Sequence, residues 1–189
     1  MSSCGTEEPT PNEENKNWEP LNVKMAELPK LCQSLLNRDT AEVFWQMSNA
    51  GFTMEYKQHG EIMLSRGVLK MFFYPEGGKM ASCGFTLHTL GEDSIDNYWR
   101  DWEEQAYTYS TWLEWEALGH YMDPDKGMQE INTPYRDEWL EFLENARSDE
   151  SELMFETLGQ NKTEYYGFAM DINETTNEKV IAYQVGEDR

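Results

Sequence analysis

The stretch from Phe52 to Leu87 constrains the fold more than any other part of the chain, because short apolar runs there are punctuated by turn signals. Phe52 to Lys57 and Glu61 to Ser65 are separated by His59-Gly60. Val68 to Tyr74 is dense in large apolar and aromatic side chains, Pro75-Glu76-Gly77-Gly78 marks a strong turn, and Met80 to Leu87 returns as a further strand. Such a series predicts an antiparallel meander with one face turned to helices.

Two helices are predicted just before it. The first spans about Glu27 to Asn37, with Pro29 tolerated in the first turn and Leu28, Leu31, Leu35 and Leu36 on one face. Asp39 is the expected N-cap of the second, with Glu42 placed for a capping box, Val43, Phe44 and Met47 as its apolar stripe, and Gly51 beyond its last turn. Residues 1–20 are polar, carry Pro9, Pro11 and Pro20, and bury too little apolar surface to offset the entropy of ordering. They read as a disordered acidic tail, with Trp18 the first residue to touch the body.

Beyond the meander, residues 91–158 read as an acidic helical region. Ile95, Trp99, Trp102 and Ala106 share a helical face. Ser110 opens a candidate helix through Trp112, Trp115 and Leu118, although Tyr107, Tyr109 and Thr111 alternate as a strand does. Asp123 to Asn132 reads as a loop. Thr133-Pro134 caps a helix to Arg147 with Trp139, Leu140 and Leu143 inward, and Ser148 or Asp149 caps a short one ending at Gly159. Glu164 to Ile172 and Lys179 to Val185 flank a polar turn and predict a C-terminal hairpin that joins or extends the meander. The order, without strand–helix–strand alternation, predicts an α+β fold: an antiparallel sheet packed against several amphipathic helices in a single domain over residues 21–189.

Charge narrows the function. The 189 residues hold 36 Asp+Glu against 15 Lys+Arg, a formal net charge of −21. A nucleic-acid or anionic-membrane binder needs a basic face, so direct binding to either is not expected. No apolar run approaches the roughly 18 residues of a membrane helix. The three cysteines, Cys4, Cys32 and Cys83, have no metal-ligand spacing, and together with the lack of a basic-then-apolar N-terminus they predict a reduced, cytoplasmic setting. Cys4-Gly5 ahead of a polar stretch also matches the start of a mature lipid-anchored protein, a reading that requires a leader upstream.

Motifs that carry chemistry are absent. His59, His88 and His120 have no second ligand at metal spacing, Cys83 lies in an apolar run, and Gly77-Gly78 opens no phosphate loop. Asp123-Pro124-Asp125-Lys126-Gly127 resembles half a calcium loop, but Pro134 stands where the bidentate Glu belongs, so a plain turn is expected. No cofactor is implied.

What remains is the clustering of acids. Between Gly91 and Glu156 nineteen acids stand against Arg100, Lys126, Arg136 and Arg147. Carboxylates three or four residues apart on a helix lie about 5–6 Å from one another, close enough for rows of them to imitate a polyanion. The sequence therefore favours a non-enzymatic binding or inhibitor protein that occupies the basic, nucleic-acid-handling surface of a partner protein. Asp93, Asp96, Asp101, Glu103, Glu104, Glu138, Glu141 and Glu144 are the candidate contacts, with Trp102 and Trp112 as aromatic anchors. Proteins of this kind include phage inhibitors of restriction or CRISPR nucleases and immunity proteins against nuclease toxins, an analogy drawn from charge alone. Two other readings compete: a small-molecule or catalytic domain built around His88 or His120, and a structural or assembly protein.

Overall fold

The computed structural model describes residues 18–90, 98, 101, 102, 104, 105, 114–146, 154–161, 164–173 and 178–187. The predicted tail lies outside them up to residue 17. Trp18 stands 5.7 Å from Trp45, ring to ring, and the Glu19 carbonyl accepts a 2.7 Å hydrogen bond from Gln46 Nε2.

A short 3₁₀ turn, Met25–Glu27, leads into α1 (Leu28–Leu35), with Pro29 in the first turn where no backbone donor is lost. Its Leu28, Leu31, Cys32 and Leu35 are buried. Asp39 caps α2 (Thr40–Asn49) as expected: its Oδ1 accepts from the backbone N–H groups of Ala41 and Glu42 at 3.0 and 3.1 Å. The reciprocal half of the capping box does not form, because the Glu42 carboxylate is engaged by Arg38.

The meander follows as β1 (Thr53–Gln58), β2 (Glu61–Arg66), β3 (Leu69–Glu76) and β4 (Lys79–Leu90). His59-Gly60 and Gly77-Gly78 both have positive φ, which suits the right-handed twist of a two-residue hairpin. The remaining strands are β5 (Glu114–Asp123), β6 (Gly127–Thr133), β7 (Met154–Gln160), β8 (Glu164–Asn173) and β9 (Glu178–Glu187). All nine form one antiparallel sheet in the order β1-β2-β3-β4-β9-β8-β7-β5-β6. The hairpin of β8 and β9 thus sits at the centre and joins the meander to the second group of strands.

The molecule is an α+β protein dominated by its sheet, and the acidic helical region is the main correction. Of the helices expected in residues 91–158, α3 (Arg136–Ala146) is present, and the one through Ile95, Trp99, Trp102 and Ala106 is helical at Asp101, Trp102, Glu104 and Gln105, with Ile95, Trp99 and Ala106 outside the described residues. Trp115 and Leu118 belong to β5, the expected loop of Asp123 to Asn132 is a tight turn followed by β6, and the segment ending at Gly159 is β7. The turn is held by Asp123 Oδ1, which accepts from the N–H groups of Asp125 and Lys126, both at 2.9 Å. Those N–H groups, Lys126 first, hold its carboxyl below the usual carboxylate range.

The helices cover one face. Register partners Phe73, Cys83, Val185, Tyr166 and Gly159 form one buried row across β3, β4, β9, β8 and β7. Met71, Phe85, Tyr183, Phe168, Thr157 and Ala117 form the next. α1 packs against β4 and β9, and α3 against β5 and β6. Contact with α3 is close at Gly119, where a Cβ would lie 2.7 Å from Trp139 Cζ3. Each large apolar side chain in these rows stabilises the fold by about 1.5–3 kcal/mol relative to exposure.

Candidate functional site

Among the described residues, the predicted contact residues fall into two groups. Asp93, Asp96, Glu103 and Trp112 lie outside the described residues. Asp101 and Glu104 are exposed on a helical turn with Trp102 between them. Trp102 is fully buried, so it serves the core and not an interface. Its Nε1 donates to the Met25 carbonyl at 2.8 Å, its ring stacks on Tyr98 at 5.6 Å, and Phe85 meets it edge-on at 5.1 Å. Glu138, Glu141 and Glu144 are exposed on α3, as expected, and Glu138 accepts a 2.5 Å hydrogen bond from Thr133 Oγ1 at the helix start. Trp102 rests on β4 and α3 on β5 and β6. Four strand spacings separate β4 from β5, about 19 Å at 4.8 Å each. That distance separates the acids of the Asp101 turn from those of α3 among the described residues.

The face opposite the helices has a different character. Side chains alternate along a strand, so the residues between those of the core rows all point to this second face. One row runs Phe72, Gly84, Gln184, Gly167, Leu158 and Glu116; the next runs Lys70, Thr86, Ala182, Ala169, Glu156 and Leu118. Its middle is low. Gly84, Thr86, Ala182, Gly167 and Ala169 floor a groove over β4, β9 and β8 of about 340 Å³. One wall is Phe72, Tyr74 and Glu61, the other Glu156. The Glu61 carboxylate is fixed by the hydroxyls of Tyr56 and Tyr74, which donate to its two oxygens. Gln184 Nε2, beside the floor, donates to Ser82 Oγ at 3.1 Å.

Beyond Glu156 the same face continues into a second hollow of about 320 Å³ lined by Leu118, His120, Met154 and Ala169. Here large apolar residues stand exposed: Leu118 at 37%, Met122 at 37%, Met128 at 51% and Leu158 at 41%. Glu114, Glu116, Glu130 and Glu156 are interleaved with them, all exposed. Contiguous apolar surface rimmed by charge marks an interaction site more reliably than acids alone. Sequence reasoning missed this face because it placed β5 and β7 in helices. Among the described residues no three His, Cys, Asp or Glu side chains converge to hold a metal ion. No helix among them is long and apolar enough to cross a membrane.

Comparison with family models, with curated proteins and with solved structures returns no match for this chain.

Proposed function

We propose that the protein is a cytoplasmic binding protein that uses the uncovered face of its sheet to occupy the basic, nucleic-acid-handling surface of a partner protein and thereby inhibits it. The observation that carries this reading is the interleaving of Glu114, Glu116, Glu130 and Glu156 with exposed Leu118, Met122, Met128 and Leu158 on one face. Apolar contacts supply the affinity, while the carboxylates select a basic partner and speed its approach. The exposed acids of α3 and of the Asp101 turn add to the field that steers association without touching the partner.

The test compares two charge-reversed proteins. One carries Glu116→Lys, Glu130→Lys and Glu156→Lys; the other carries Asp137→Lys, Glu141→Lys and Glu144→Lys. A basic partner captured at low salt and released at about 0.2–0.5 M salt should be lost from the first and retained by the second. Addition of the protein should displace nucleic acid from that partner. Equal retention by both variants would remove the sheet face from the reading.

A second reading has one observation behind it. His120 and Glu156 line the same hollow beside Met154 and Ala169, an arrangement that suits a small ligand. Thermal shifts with metabolites that vanish in His120→Ala would favour it.

A further inference from the structure

The sheet is open, and its two edges, β1 and β6, are not alike. An edge strand presents unpaired N–H and C=O groups, and proteins blunt such edges with bulges, lysine or proline. β1 is blunted in this way: its pairing with β2 shifts register between Met54 and Tyr56, and it carries Lys57. β6 has neither device. Its pairing with β5 runs unbroken through seven residues, from Gly127 opposite Asp123 to Thr133 opposite Ala117, without lysine or proline. Among the described residues no backbone hydrogen bond runs from β6 to anything but β5. Successive residues of a strand turn their N–H and C=O groups to opposite sides, so about half of those in β6 face outward.

Side chains along this edge sort by face. Met128, Glu130 and Asn132 belong to the uncovered face and stand in solvent. Gln129 and Ile131 alternate with them on the helix side, half-buried, and Ile131 packs against the core. At the turn end the Gln129 amide reaches back along its own strand: Nε2 donates to the Gly127 and Met128 carbonyls at 3.2 Å each and to the Lys126 carbonyl at 3.4 Å. One amide shared among three carbonyls at these lengths bonds weakly to each, so the N–H of an added strand readily replaces it. Charge decides what adds there. A second copy would bring another net charge of −21 and a second set of glutamates to the same wing. A basic strand instead sets an opposite charge across from Glu130, a favourable cross-strand pair.

We infer that β6 is extended by an antiparallel strand of the partner protein, whose Lys or Arg lies opposite Glu130 on the uncovered face while a β-branched side chain lies beside Ile131 on the other. The inference rests on the proposed binding of a basic partner and adds the form in which that partner is recognised. Main-chain hydrogen bonds to the free edge supply affinity, and the alternating side chains supply selection. Every neighbouring pair in the sheet is already antiparallel, the more stable of the two ladders, so the added strand continues the existing pattern.

The probe is a labelled peptide of about nine residues in which Lys or Arg alternates with Val or Thr, titrated against the full chain by fluorescence polarisation at low salt. Two isomers of it carry N-methyl groups, one on the basic residues and the other on the residues between, so each can donate from only one of its two edges. Strand addition engages a single edge, so one isomer should bind at least about tenfold tighter than the other at equal charge. Adjacent residues of β6 point their N–H groups in opposite directions, so one of Gln129→Pro and Glu130→Pro spares the ladder to β5 and keeps its thermal midpoint. That variant should erase the difference between the isomers. Glu130→Lys, which leaves the backbone unchanged, should weaken the unmethylated peptide about three- to tenfold, whereas Glu55→Lys on β1 should change it less than about twofold. Equal binding of the isomers, or a difference that survives the folded proline variant, overturns strand addition while the acidic-binder reading stands. Should neither proline variant fold, an unchanged affinity in Glu130→Lys overturns it. Failure of every peptide to bind, with native partner capture intact, does so too; loss of that capture as well overturns both readings. Self-association of the protein alone that the folded proline variant abolishes would assign the edge to a second copy instead.

Discussion

The two faces of the sheet are made from the same strands, yet they follow opposite rules. On the helix-covered face, rows such as Met71, Phe85, Tyr183 and Phe168 are filled and buried. On the other, the centre holds glycine and alanine, and the outer strands place leucine and methionine in solvent. A soluble sheet with one wet face normally shows polar residues there. The departure places the packed core on one side of the molecule and, on the function proposed above, recognition on the other, so substitutions should separate cleanly by face.

The largest effect expected is for Trp102→Ala. The ring is fully buried between Tyr98 and Phe85, and its loss should lower unfolding free energy by about 3–5 kcal/mol in chemical denaturation. Next comes a matched pair of glycines on neighbouring strands. Gly159 faces the core, and a Cβ there would lie 2.1 Å from Tyr166 Cε1. The Tyr166 ring is itself buried and cannot swing away, so Gly159→Ala should cost about 1–3 kcal/mol.

The covered face should also show itself in alkali. Burial, reinforced by the neighbouring Cys83 thiol, pushes the Cys32 thiol well above the ordinary range, and burial does the same to the Tyr183 hydroxyl. Both groups hold their protons in the folded state while the unfolded chain releases them. The stability these two groups contribute should therefore be level below about pH 8.5 and be lost as pH rises beyond it, first through Cys32 and then through Tyr183. In Cys32→Ala the decline should begin only near the tyrosine range, at about pH 10, which denaturation midpoints across pH would register. A decline that begins at the same pH in both proteins would break the account.

The smallest effect has the opposite sign. Gly167→Ala, on the uncovered face with room for its methyl, should leave stability unchanged or raise it by about 0.4–1 kcal/mol, because the unfolded chain loses freedom. Thermal melting of Gly159→Ala and Gly167→Ala side by side tests the division between faces most directly. Equal losses would erase it.

This division also explains what could be read from the sequence. The meander, α1, α2, α3 and the C-terminal hairpin were legible because turn residues and buried positions agree. His59-Gly60 and Gly77-Gly78 sit where positive φ is required, and Ile62, Leu64, Leu69, Met71 and Phe73 alternate with less buried neighbours. β5 and β7 were not legible, since apolar residues are mixed with the polar ones on their solvent side. Leu118 and Leu158 face outward while Gly119 and Gly159 stand on the core side, so period two vanishes and the Trp112, Trp115, Leu118 spacing imitates a helix. The candidate site was hidden by the same substitution of apolar for polar that marks it as a candidate. Conflict between local pattern and global fold is expected where function is located.

The pairing of Gly84 with Gln184 joins positions a hundred residues apart. At 5–20 residues per second, about 5–20 s of synthesis separate the appearance of β4 from that of the strand that completes it. During that interval β4 presents an open edge, a template for wrong partners and a reason for the newborn chain to need shelter. The groove has two of its three floor strands in this late hairpin. The floor of the groove is therefore complete only once this hairpin has been made.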